Sequence, residues 1–181
     1  MKTRIILSIL LVSVFFTGCK NDKSADSQEA VKPEVVDNTF KVTLNVIVKK
    51  DDDFCLYYTE DGSINFKDNP IWVGVKGNEN IQKVVYSLPK DVFPTELRLD
   101  FGLKKDQEDI ILKSVAIEYK GKKREINGAE MATFFRADDS KCSFDASTGL
   151  IKAVVKNGEK QCSSLYPHET LLKPEIEKLA H

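Results

Sequence analysis

The side chains best suited to recognition chemistry are Trp72, Tyr57, Tyr58, Arg98 and Asp100. An indole beside a loop offers a flat, polarisable face on which the C–H side of a sugar ring can stack, with polar groups at the rim holding hydroxyls. Trp72, the single tryptophan, fits either that role or a plug at the end of a hydrophobic core. Tyr57 and Tyr58 are adjacent in an apolar segment, so in an extended chain one ring points inward and the other outward. The outward ring lines a binding face or pairs with a neighbour across strands. Arg98 and Asp100, two residues apart, share a strand face. They bracket a pair of sugar hydroxyls, or they neutralise each other in a surface pair worth under about 1 kcal/mol.

Catalytic and metal chemistry finds less support. The two histidines, His168 and His181, stand in the closing segment and at the final position. No Ser–His–acid order and no G-x-S-x-G turn occurs, and a glycosidase-type carboxylate pair is set by space rather than by spacing. A small domain without cleft-building insertions is a poor frame for such a pair, so the expectation is a protein that binds without catalysing. The acids Asp51, Asp52, Asp53, Asp138 and Asp139 are oxygen donors that could hold a structural calcium, but they lack EF-hand spacing. Clustered surface acids more commonly stay solvated, and no other cofactor is expected. No CxxC or HxxxH spacing exists to hold zinc. Cys142 and Cys162 flank a predicted hairpin and form a candidate disulfide that geometry must decide. Cys55, in an apolar strand, reads as a buried free thiol.

The totals narrow the class. The chain has 181 residues, with 27 Lys and Arg against 28 Asp and Glu. Without residues 1–18, which carry Lys2 and Arg4, 25 basic residues face 28 acidic ones, a net of −3. That balance gives no electrostatic footprint for nucleic acid. The length fits one domain, large enough for a core without staples.

The elements that must position these side chains are strands. Positions 42, 44, 46 and 48 alternate apolar with polar neighbours, the period of a half-buried strand. Further strands are predicted over 54–59, 71–75, 81–88, 95–102, 110–119, 123–126, 142–144 and 149–155, with a short edge strand over 64–66. Asn157-Gly158 is a hairpin signal. Asn127-Gly128-Ala129-Glu130 reads as a capping box opening a short interior helix whose apolar face is Met131, Phe134 and Phe135. Tyr166-Pro167 is expected to open a closing helical stretch, with Pro174 in the first turn of a last helix carrying Ile176 and Leu179. Many short, evenly spaced strands with few helices predict an all-β antiparallel sandwich over 39–181.

The N-terminal region sets location. Lys2 and Arg4 precede an apolar run over 5–16, too short to cross a bilayer comfortably and suited to a secretory signal. The segment Phe16-Thr17-Gly18-Cys19 resembles the lipobox of bacterial lipoproteins, with Phe16 in place of the usual Leu. The resemblance implies that Cys19 receives a diacylglycerol, that the chain is cut before it, and that the new N-terminus is acylated. Two or more acyl chains would hold the protein firmly on a membrane, here the outer membrane of a bacterial envelope, facing the periplasm or the surface. A chance cysteine in an ordinary signal peptide, or an uncleaved anchor, are the alternatives. Residues 20–38 are polar and charged, a tether that cannot bury enough to order itself. Its nineteen residues reach about 25 Å as a flexible coil. Residues 20–23 partly resemble the surface-export signal of Bacteroidota lipoproteins.

The succession FCLYYTED, QKVVYSLP, LRLDFG, ILKSVAIEY and GKKREINGAEMATFF, spread over 40–135, resembles the jelly-roll modules of Bacteroidota envelope proteins. It is similar in kind to galactose-binding-like sandwiches. That resemblance implies a module that recognises a glycan or another envelope polymer. The alternative is a structural lipoprotein that grips protein partners through a sheet face or an open edge.

Overall fold

The computed structural model describes residues 37–181. The signal segment, Cys19 and the tether before Asp37 lie outside the described residues. The described part is an antiparallel β-sandwich of eleven strands, with a separate two-stranded ribbon and two short helices.

The strands follow from the alternation in the sequence. Lys41–Val48 (β1) buries Val42, Leu44, Val46 and Val48 and leaves the residues between them half exposed. Asp52–Thr59 (β2) sends Phe54, Leu56 and Tyr58 into the core and turns Tyr57 outward. Ile71–Val75 (β3), Asn78–Ser87 (β4), Glu96–Phe101 (β5), Ile110–Tyr119 (β6) and Lys122–Asn127 (β7) continue the pattern. The shorter strands Phe135–Ala137 (β8), Cys142–Asp145 (β9), Leu150–Ala153 (β10), Val155–Lys156 (β11), Glu159–Lys160 (β12) and Ser163–Pro167 (β13) follow.

One sheet runs β4-β1-β6-β10-β9, with β7 also paired to β6; the other runs β3-β2-β5-β13-β8. Through its first six strands the chain passes back and forth between the two sheets. Two of these crossings, at 49–51 and 76–77, lie against each other. Asp51 joins them, accepting from the Gly77 amide at 2.8 Å and from Lys76 at 2.7 Å. A Cβ on Gly77 would stand 2.6 Å from the Lys49 carbonyl, so only glycine fits this approach.

The two inner faces meet in one apolar core. Phe40, Phe93 and Tyr119 close one end with ring centroids 5.0–6.1 Å apart, and Phe54 meets Phe101 edge-on at 5.3 Å. No helix among the described residues is long and apolar enough to cross a membrane.

Several local expectations are corrected. Residues 64–66 form no strand; they enter a turn in which the Phe66 amide reaches the Ile64 carbonyl, and the Phe66 ring is drawn onto Tyr166. The interior helix reduces to a 3-10 turn, Gly128–Glu130, and one α turn, Met131–Phe134 (α1). Asn127 makes no side-chain cap, since it remains paired with Ser114 at the end of β7, and Glu130 is taken by Arg124. Met131 and Phe134 still point inward as expected, and Phe135 does so from β8. Tyr166 and Pro167 end β13 instead of opening a helix. The closing helix is one piece, Glu169–Glu177 (α2), with Pro174 inside it and Leu172, Ile176 and Leu179 docked on the core.

Cys142 and Cys162 are not bonded; both thiols are free. Cys142 belongs to the core, with its Sγ 3.4 Å from the Ser164 carbonyl. Cys162 comes two residues before Ser164 and feels the charges of Asp100 and Arg98, which lie on the outward face.

Candidate functional site

The register of the second sheet assembles most of the singled-out residues on its outward face. Trp72 sits opposite Cys55, Cys55 opposite Asp100, and Asp100 opposite Ser164, a single row across four strands. Tyr57 pairs with Arg98 in the next row, and Tyr166 with Arg136. Side-chain parity puts these groups on one surface because β3, β2, β5 and β13 are adjacent and in step.

That surface is a layered stack. The Arg98 guanidinium lies 4.9 Å over the Tyr57 ring and 4.9 Å over the Tyr166 ring. Arg136 covers Tyr166 at 5.4 Å, and Phe66 meets the same ring edge-on at 5.9 Å. Arg98 also holds Asp100 in a two-point pair, Nε to Oδ1 at 2.8 Å and Nη2 to Oδ2 at 2.5 Å. Burial opposes the Arg98 charge, but the Asp100 carboxylate outweighs it and pushes the guanidinium pKa further up. The pair is 15% and 9% exposed, so most of it is turned away from solvent. Arg98 and Asp100 thus brace the stack, and the ion pair is their main contact within the protein.

The residues beneath are shut from solvent. Cys55 and Ser164 are fully buried although they face outward. Burial, and then the nearby Asp100 charge, raise the Cys55 thiol from 9.0 to about 11, with the Tyr57 hydroxyl pulling the other way. Cys162 rises to about 11 for the same two leading reasons. Both sulfurs stay protonated at neutral pH.

Trp72 is 48% exposed at the open end of this face, on the terminal strand β3. Tyr57 is half-buried beside it, whereas Tyr58 is 5% exposed and belongs to the core. Tyr58 is therefore the inward ring of the two, and it lines a cavity of about 210 Å³ beside Thr59 and Asp61 instead of the stack's face. The sequence reading missed Tyr166, Arg136 and Phe66. Phe66 stands in a loop, and the β13 segment was expected to turn helical, which hid the alternation that places Tyr166.

The acids are corrected as well. Asp52 is buried; its Oδ1 accepts the Leu103 amide at 2.8 Å and the Lys104 amide at 3.2 Å, and its Oδ2 accepts from Gln107 at 2.9 Å. Asp138 is occupied by Ser140 and Lys141. No group of three or more acids, histidines or cysteines among the described residues could hold a metal ion. His168 leads into α2 and His181 is the last residue of the sequence; neither makes a side-chain hydrogen bond or ring contact with the stack residues.

An antiparallel β-sandwich carrying an aromatic and guanidinium platform on one sheet is the class that fold and site define. The chain matches no protein-family model, no curated protein and no solved structure.

Proposed function

We propose that this protein is a non-catalytic binding module, anchored to a bacterial envelope membrane by lipid on Cys19, that recognises a glycan or another envelope polymer. The observation that supports it most is the half-exposed Trp72 on the face stiffened by the Tyr57–Arg98–Tyr166 stack. An indole held on a rigid support loses little entropy when a sugar ring stacks on it.

A single tryptophan makes the test direct. Polysaccharide binding is expected to shift and strengthen the Trp72 emission, and Trp72→Ala is expected to weaken retention on a polysaccharide gel about tenfold or more with the fold intact. Emission unmoved by every polysaccharide tried would sink the reading.

A protein partner is the second reading, favoured by the edge of β4. That strand is ten residues long, pairs only with β1, and exposes Ile81 at 58%. An open edge of this length can accept a strand from another chain.

A further inference from the structure

The other sheet carries a cavity of about 370 Å³ on its outward face. Register builds it: Val85 lies opposite Thr43, Thr43 opposite Ala116, and Ala116 opposite Glu125. One row further along the strands, Lys83 faces Asn45, and Asn45 faces Ser114. In the opposite direction Glu118 faces Lys123. Four strands thus give a small apolar floor, Val85 and Ala116, ringed by groups that donate and groups that accept.

The ring is partly fixed in advance. The Glu125 carboxylate accepts from Ser114 Oγ at 2.7 Å, from Asn45 Nδ2 at 3.4 Å and from Lys123 Nζ at 3.4 Å. The Ser114 hydroxyl, then Lys123, hold its pKa below the usual carboxylate range, so it is an ionised acceptor at neutral pH. Asn45 Nδ2 also donates to Ser114 Oγ at 2.7 Å, and its Oδ1 accepts no hydrogen bond from another described residue. Thr43 Oγ1 and Lys83 Nζ make no hydrogen bond with another described residue.

We propose that this cavity is a second ligand site, built for a neutral polyhydroxylated ligand, a short saccharide segment, on the sheet opposite Trp72. A hydroxyl both donates and accepts, and so satisfies Lys83 and Thr43 on one side and Glu118, Glu125 and the Asn45 carbonyl on the other. The two carboxylates, Glu118 and Glu125, balance the two lysines, Lys83 and Lys123, so the ring carries no net charge with which to select an anion or a cation. An apolar ligand would strip water from four charged groups without replacing it. The floor suits the C–H face of a sugar ring, and the volume lies within the small-ligand range. The site does not depend on the Trp72 reading, and the two sites would face away from each other.

The test titrates the purified full chain, labelled with nitrogen-15, with maltohexaose, cellohexaose, mannohexaose and chitohexaose, and with hexagalacturonic acid as the anionic comparison. At least one neutral oligosaccharide is expected to move the amide signals of Lys83, Ala116 and Glu125 and the Asn45 side-chain signal. Thr43→Val and Lys83→Met, which break no internal hydrogen bond, are expected to weaken that binding about tenfold each. Trp72→Ala is expected to leave it within about twofold. No movement of these signals with any neutral oligosaccharide overturns the site. So does tighter binding of the galacturonic acid, or loss of binding in Trp72→Ala rather than in the Thr43 and Lys83 variants. The shift map on the unaltered protein decides the matter even if a variant folds poorly.

Discussion

At the scale of single residues, the outward face of the second sheet shows how burial can occur without a core. Cys55 is at 0% exposure on the solvent side of its strand because Trp72 and Asp100 flank it in the register and Tyr57 lies over the next position. The cost of that burial falls on ionisation. The Cys55 and Cys162 thiols both rise to about 11, above the 9.0 they have when exposed. A raised folded-state pKa means that the unfolded chain releases these protons first. The contribution is complete below about pH 9 and is lost as pH climbs through 11. The thermal midpoint, followed from pH 8 to 11 under reducing conditions, should fall more steeply for the native chain than for Cys55→Ala or Cys162→Ala. Parallel curves would show that neither thiol is buried in this way. Gly149 shows a backbone constraint of the same scale: φ is +80° and a Cβ would stand 2.1 Å from the Leu112 carbonyl, where β6 carries a bulge beside β1.

At the scale of elements, the closing helix depends on one arginine. Arg124 of β7 donates from Nε to Glu175 of α2 at 3.0 Å, pairs with Glu130 before α1, and lies 5.8 Å over Phe134. Three elements that are weak alone are joined through one guanidinium. A nine-residue helix with a proline inside it needs such support. Arg124→Met keeps the aliphatic stem and removes the fork. It should raise the amide exchange rate of Leu172 and Ile176 roughly tenfold, about 1.4 kcal/mol of local opening, while β1 and β6 keep their protection. Unchanged exchange in α2 would mean that Leu172, Ile176 and Leu179 hold the helix without it. Elements were also where sequence reading fared unevenly. The β1 alternation was legible residue by residue, because one face meets water and the other the core. The β13 strand was not, because Ser163, Ser164 and Leu165 are all buried and leave no period of two.

At the scale of the molecule, the two sheets present different chemistry outward. One shows an aromatic and guanidinium platform, the other a polar hollow. If Cys19 carries the proposed lipid and residues 20–38 act as the proposed tether, both faces would come within reach of polymers near the bilayer. Cells fed an alkyne-bearing fatty acid should label the native chain and not Cys19→Ser, and the variant should leave the membrane fraction. Label retained in Cys19→Ser would remove the anchor from the proposal while leaving both faces as they stand.

Read alone, the amino-acid sequence determined the strand-rich class, the position of most strands, the inward identity of the core and the shared strand face of Arg98 and Asp100, since each follows from local period and spacing. It carried the choice at Tyr57 and Tyr58 only as far as opposite directions. The tertiary structure decided which ring faces out, that Trp72 is half exposed on the face of the stack, that Cys142 and Cys162 are unbonded, and that Asp52 anchors a loop. It also brought Thr43, Lys83 and Glu125 into one hollow. These outcomes depend on which strands are neighbours and in what register, and contacts across 40 to 80 residues leave no periodic trace in the chain.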